Sequence, residues 1–197
     1  MNKIVKNTLI LTVITVVAGL LLGVVYGVTK DPIAKAQEEA KQEAFRSVLS
    51  DAETFESDTE FDADAASALL KENGYTSDDI SEVAEGKDAS GETVGYVVNV
   101  TSHDGYNGDI SYSVGIDAEG KINKVEFLSI SETPGLGMQA KTKPEHLEQY
   151  VGIASDNFTV VKDGSGNLKK DVADKTENID SLSGSTITSK SVNNGIN

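Results

Sequence analysis

Ser183, Gly184, Ser185, Thr186 and Thr188 bring four hydroxyls and a glycine together near the C-terminal end of the chain. That set suits a phosphate. Gly184 removes a side chain where a bulky ligand would approach, and a helix starting with Ser185 or Thr186 as its cap would have free N–H groups that attract an anion. An ordinary N-cap after a turn needs the same residues, so the chemistry alone leaves both readings open. A second candidate loop lies upstream, Ser131-Glu132-Thr133-Pro134-Gly135-Leu136-Gly137. Pro134 fixes one φ, while Gly135 and Gly137 permit backbone shapes closed to other residues, which lets amides approach a flat ring. Taken by itself, this loop reads as a tight turn after a strand.

Composition removes other chemistries. The absence of cysteine excludes disulfides, thiol catalysis, iron–sulfur clusters and thiolate metal sites. His103 and His146, the only imidazoles, stand far apart in sequence. Both read as solvent-exposed, and neither suggests a metal site or a nucleophile-activating base. No catalytic residue and no metal ligand is therefore assigned, and any redox function must come from a cofactor. Beyond residue 29 the chain carries 15 Lys and Arg against 32 Asp and Glu, which argues against nucleic acid as a partner.

The elements that would position the two loops follow from periodicity. Residues 7–29 are 23 positions without a charge. At about 1.5 Å each they reach about 34 Å, enough for a hydrocarbon core of about 30 Å. A cleaved signal peptide is the alternative, but the run is longer than a typical h-region and lacks a small-x-small exit. Lys3 and Lys6 precede the span with no acidic residue, favouring a cytoplasmic N-terminus over residues 1–6 and an extracytoplasmic remainder; Lys30 and Lys35 oppose this more weakly.

Asp31 and Pro32 can start a new helix, and Ile33, Ala36, Ala40, Ala44 and Val48 form an apolar stripe along it. Residues 30–60 thus read as a stem helix followed by an acidic linker, and residues 61–197 as one domain. Within that domain, residues 65–72 should be helical and end at Asn73-Gly74. Residues 94–100, 110–116 and 122–130 alternate as strands and should form an antiparallel meander. Residues 144–150 look helical, 158–161 strand-like, 163–167 a turn, and 187–193 a final helix. The expected class is α+β, an antiparallel meander sheet with flanking helices, preceded by one transmembrane helix and a stem helix.

Asp180-Ser181-Leu182-Ser183-Gly184-Ser185-Thr186 resembles the D-x-x-(S/T)-G-A-T flavinylation motif of the FMN-binding domain shared by RnfG and NqrC, subunits of ion-translocating respiratory complexes. The upstream loop is similar to the E-T-P-G-L-G loop of the same family, and likeness extends over roughly residues 93–195. Ser185 stands where the family usually has alanine, placing a second hydroxyl beside Thr186. The resemblance implies FMN esterified through its phosphate to Thr186, with Ser183, Gly184, Ser185 and Thr188 around it. It also implies Thr133, Gly135, Leu136 and Gly137 facing the ring or ribityl chain, and Glu132 orienting that loop.

Asp180 matches the motif aspartate that a flavin transferase recognises, although a side chain bonding turn amides would look the same. Lys141 and Lys143 read as solvated surface more than as partners of flavin charge. The implied function is electron transfer within an Rnf-type ion-translocating ferredoxin:NAD oxidoreductase complex, with no independent substrate turnover. The implied partners are the other proteins of that complex and, during maturation, a transferase using FAD and Mg²⁺. Length favours the RnfG type over the longer NqrC type of sodium-pumping NADH:quinone reductase. A membrane-anchored adaptor without flavin, or the FMN-delivering domain of an extracellular flavoprotein reductase, are the alternatives.

Overall fold

A computed structural model describes residues 3–155 and 157–197, so Met1 and Asn2 of the expected cytoplasmic end lie outside the described residues. Two compact units emerge, one ending at Gln42 and one running Glu43–Asn197. Helix α1 runs Lys3–Val48. Its segment Lys3–Ile33 is long and apolar enough to cross a membrane, and Leu9, Leu20 and Val24 among others are exposed along it. A helix apolar all round suits lipid and not water.

The helix start expected at Asp31 is absent, because Pro32 lies inside α1. Proline removes one N–H, the one that would reach the Val28 carbonyl, but the Ala-, Gln-, Glu- and Lys-rich sequence that follows propagates the helix and avoids a second nucleation. Of the expected stripe, Ile33 and Ala36 are exposed and Val48 is buried. The Ala40 side chain lies outside the described set.

In the second unit the meander has five strands, in the order β1 Thr54–Ser57, β2 Asp78–Lys87, β3 Thr93–Ser102, β4 Ile110–Asp117 and β5 Ile122–Ile130. Three of them coincide with the expected strands. The other two were hidden by their composition: β1 lies in the stretch expected to be acidic linker, and β2 reads Asp-Asp-Ile-Ser-Glu-Val-Ala-Glu-Gly-Lys. β2 pairs onto β3 (Val83↔Val98) and β1 onto β2 (Thr54↔Lys87), so cross-strand pairing sets their register more than apolar alternation does. Helix α2, Ala63–Glu72, starts where Asp62 accepts the N–H groups of Asp64 and Ala65 at 3.0 and 3.1 Å.

The sheet is covered on both faces. Phe45, Val48 and Leu49, from the end of α1 and the residue after it, pack with Ala52 on Ala84 and Val97. Burying each of the three large side chains contributes about 1.5–3 kcal/mol. The approach is close: a side chain at Gly115 would collide with the Val48 carbonyl oxygen. Asn123 Nδ2 donates to that same carbonyl at 3.1 Å, satisfying one of the helix's last acceptors. On the opposite face Val100, Ile110, Tyr112, Val114 and Phe127 lie in one core with Val192 of α5, Thr186–Ile196.

Between β5 and α5 the chain forms two single helical turns, α3 Gln139–Thr142 and α4 Glu145–Glu148, so the helix expected over 144–150 is one turn only. The expected strand near 158–161 is β6, Thr159–Val161, and it pairs in parallel with β7, Asn178–Asp180, which no local pattern suggested. This pairing delivers Asp180 to the entry of α5.

Candidate functional site

Both singled-out loops are β-turns of one design. Leu136 N–H donates to the Thr133 carbonyl at 3.1 Å, and Ser185 N–H to the Leu182 carbonyl at 3.0 Å. The third turn residue is glycine in each case, with φ of 76° at Gly135 and 74° at Gly184. A side chain is disfavoured there, while Pro134 pre-sets the second position of the first turn.

The turns meet. A Cβ on Gly137 would sit 2.5 Å from Glu132 Oε2 and 2.7 Å from Thr188 Oγ1, and one on Gly184 would touch Leu136 at 3.2 Å. Between them opens a cavity of about 430 Å³ lined by Tyr106, Glu132, Thr133, Leu136, Gly137, Gly184, Ser185, Thr186, Ile187 and Thr188. That volume lies within the usual range of about 300–1,000 Å³ for small-molecule sites. Eight of these ten residues are among those singled out in the sequence. Gly135 and Ser183 do not line the cavity and are exposed turn positions. Tyr106 and Ile187 are additions. Tyr106 sits in Gly105-Tyr106-Asn107-Gly108, where its glycine-rich surroundings were the available signal.

Helix α5 begins at the cavity wall. The first intrahelical bond is made by Ser189 N–H to the Ser185 carbonyl at 3.0 Å, which leaves the amides of Thr186, Ile187 and Thr188 ahead of the ladder. Their partial positive charge faces the helix start. The serine cap expected at this point differs in detail: Ser185 occupies the N-cap position, but its hydroxyl makes no capping bond. Ser189 stitches the turn instead, accepting Leu182 N–H at 3.0 Å and donating to the Ser185 carbonyl at 3.1 Å. Ser185 Oγ is buried without a partner among the described residues. Thr186 is half-buried, and its Oγ1 accepts a hydrogen bond from the Ser181 hydroxyl at 3.4 Å.

Glu132 is 5% exposed. Its Oε1 accepts Asn107 N–H at 3.3 Å, and Asn107 Nδ2 donates to the Ser131 carbonyl at 2.8 Å, which ties the Tyr106 loop to the Glu132 loop. Glu132 Oε2 has no partner among the described residues. Two buried oxygens and three amides that lack partners among the described residues, and walls kept open by Gly137 and Gly184, fit a ligand that brings a phosphate and its own hydrogen-bond donors. FMN is such a ligand.

Asp180 accepts Gly166 N–H on one oxygen and Leu168 N–H on the other, both at 3.1 Å, and so behaves as the turn-holding side chain. Lys141 and Lys143 do not line the cavity. The two histidines differ. His103 is exposed as expected and sits between Asp79 and Asp109, 2.9 Å from each, and these hydrogen bonds raise its pKa. His146 is wholly buried, against the expectation, because α4 packs its side chain into the core beside Gln149. Desolvation lowers its pKa to about 4. Among the described residues no group of His, Asp and Glu is arranged to hold a metal ion.

Residues 105–197 match the FMN-binding domain family, and residues 1–48 match the RnfG N-terminal region. The chain is 34% identical over 194 residues to the G subunit of the Na⁺-translocating ferredoxin:NAD⁺ oxidoreductase complex of Acetobacterium woodii, covering 98% of this chain and 87% of that one. It is 31% identical to the G subunit of the proton-translocating ferredoxin:NAD⁺ oxidoreductase complex of Clostridium ljungdahlii, with 99% and 89% covered. Among solved structures, Shewanella oneidensis NqrC shares 22% identity at a TM-score of 0.45 over 60% of this chain and 54% of that one. Identity above 30% sustained along nearly the whole of both relatives settles the classification: the chain belongs to the RnfG family, the G subunits of ion-translocating ferredoxin:NAD oxidoreductase complexes.

Proposed function

We propose that this chain is a membrane-anchored electron-transfer subunit of an Rnf-type complex, with FMN seated between the two turns and joined by its phosphate to Thr186. The observation that carries this reading is the meeting of both turns at one cavity, with the Thr186 hydroxyl at the start of α5. Bound FMN supplies one- and two-electron redox chemistry. The chain supplies the rest: the amides of Thr186, Ile187 and Thr188 hold phosphate oxygens, and Ser185 Oγ donates to one of them. Glu132 Oε2 accepts a donor from the ligand. Leu136 and Tyr106 cover its apolar part and keep water from it.

The ester needs an activated donor. Thr186 Oγ bonds to the flavin phosphorus of FAD while the diphosphate P–O bond breaks; AMP leaves with the bridging oxygen, and the threonine proton passes to solvent. A separate Mg²⁺-dependent flavin transferase performs this step, since the Thr186 hydroxyl is partnered by the Ser181 hydroxyl and not by a base. The span at residues 7–29 keeps residues 1–6 in the cytoplasm and holds residues 61–197 outside, where an ester prevents loss of a soluble cofactor. Protease added to spheroplasts is expected to digest the outer unit, and protection from it would reverse the topology. The decisive measurement is the intact mass of the chain isolated from its own membrane. An increment equal to one FMN less water is expected, and an unmodified mass would favour the adaptor alternative.

A further inference from the structure

A second concavity lies against the same motif. About 340 Å³ in volume, it is lined by Lys162, Lys169 and Lys170 together with Asp180 and Ser181. Three lysines in one hollow invert the local charge of a chain whose net charge is −15. Asp180 is the one carboxylate in the lining, bound by the amides of Gly166 and Leu168, so the wall itself carries three ammonium groups against one carboxylate; Asp163, bound by the N–H and hydroxyl of Ser165 at 3.1 and 2.6 Å, and Asp171 flank it in sequence. Lys170 Nζ is held on the Ser165 carbonyl at 3.0 Å, while Lys162 and Lys169 are exposed.

The hollow is built onto the acceptor segment. A Cβ on Gly166 would collide with the Asp180 backbone nitrogen, so the lysine-bearing turn is packed directly on β7. Ser181, which lines the hollow, donates its hydroxyl to Thr186 Oγ1 at 3.4 Å. The Thr186 hydroxyl is therefore one hydrogen bond from the wall of this hollow. Elsewhere the excess of carboxylates repels an acidic partner; here three ammonium groups attract one.

We propose that the Lys162, Lys169 and Lys170 hollow docks an acidic surface of the enzyme that attaches the flavin. This rests on the reading of Thr186 as the acceptor. Asp180 then serves attachment as a positioning residue, by fixing the turn that presents the lysines.

The test uses the full-length chain in detergent with purified flavin transferase, FAD and Mg²⁺, following ester formation by in-gel flavin fluorescence. Lys162→Gln/Lys169→Gln/Lys170→Gln, checked for an unchanged melting temperature, is expected to label about tenfold more slowly at low acceptor concentration. At saturating acceptor it should match the wild type. Added NaCl should slow the wild type and scarcely affect the triple variant. Equal rates and equal salt dependence in the two proteins would overturn the proposal. So would inhibition of the wild type alone by millimolar inorganic phosphate at constant ionic strength, which would make the hollow a small-anion site. Thr186→Ala serves as the separate control: its labelling would refute the acceptor reading, whichever way the lysine comparison falls.

Discussion

The turns at Thr133–Leu136 and Leu182–Ser185 have the same hydrogen bond and the same left-handed glycine, yet they contribute different things to one cavity. The first leads out of β5 and rests on the buried Glu132, one of whose oxygens is tied to the Tyr106 loop. It offers shape and backbone. The second is stitched by Ser189 to the start of α5 and offers free amides and the Thr186 hydroxyl. A turn in front of a helix start becomes an anion seat, and the same turn in front of a single helical turn becomes a wall. Losing a hydroxyl should therefore matter most at the second turn, and filling space should matter most just after the first, at Gly137.

The sharpest break in that comparison is Thr186→Ala. Covalent flavin is expected to vanish, so that after coexpression with a transferase the wild-type band fluoresces under ultraviolet light on a denaturing gel and the variant band is dark. Folding should survive, because the lost hydroxyl accepts only the 3.4 Å bond from Ser181. Loss of a helix-start hydroxyl costs about 1 kcal/mol against a domain stability of about 5–15 kcal/mol. A bright Thr186→Ala band with a dark Ser185→Ala band would move the attachment to Ser185. Two bright bands would remove this turn from the mechanism.

Next comes Gly137→Val, which drives a side chain into Glu132 and Thr188 where the two loops meet. Overpacking should destabilise by about 1–3 kcal/mol, and the flavin absorption band should shift. An unchanged melting curve and spectrum would mean that the loops are not packed as described. Gly135→Val is milder. Nothing lies within 4 Å of its Cβ position, so the cost is the left-handed φ alone, about 1–2 kcal/mol. The linkage should persist with a perturbed spectrum; wild-type spectrum and electron transfer would reduce this loop to a plain turn.

The smallest effects belong to the histidines, and their signs oppose. The pKa of His103 is raised by Asp109 and Asp79, so its stabilisation is complete below the unfolded value near 6.5 and is lost as pH rises through the raised value. The pKa of His146 is lowered to about 4 by burial, so protonation favours the unfolded chain and stability falls as pH drops from 6.5 toward 4. Thermal melts of His103→Gln should lose the alkaline decline, and those of His146→Gln the acid one. Matching pH profiles for both variants and the wild type would show that neither histidine is linked to folding.

The long apolar helix, the three apolar strands and both turns are legible in the amino-acid order, because each is written in local signals: an uncharged run, alternation, and Pro or Gly at the positions a turn requires. Those signals located the two loops, and the resemblance to the FMN-binding family named them as a site that includes eight of the ten residues lining the cavity. Other features exist only once the chain has folded. β2 carries too many acids to read as a strand and forms because β3 offers it a paired edge, and β1, a four-residue segment in an acidic stretch, forms on β2 in turn. His146 is buried because α4 packs against the core, which no local pattern announces. Pro32 stays within a helix because propagation on either side outweighs one missing bond. Tyr106 reaches the cavity because Asn107, beside it, is tied to Ser131 and Glu132, 24 and 25 residues away. Local signals set which turns form; long-range packing set what those turns face.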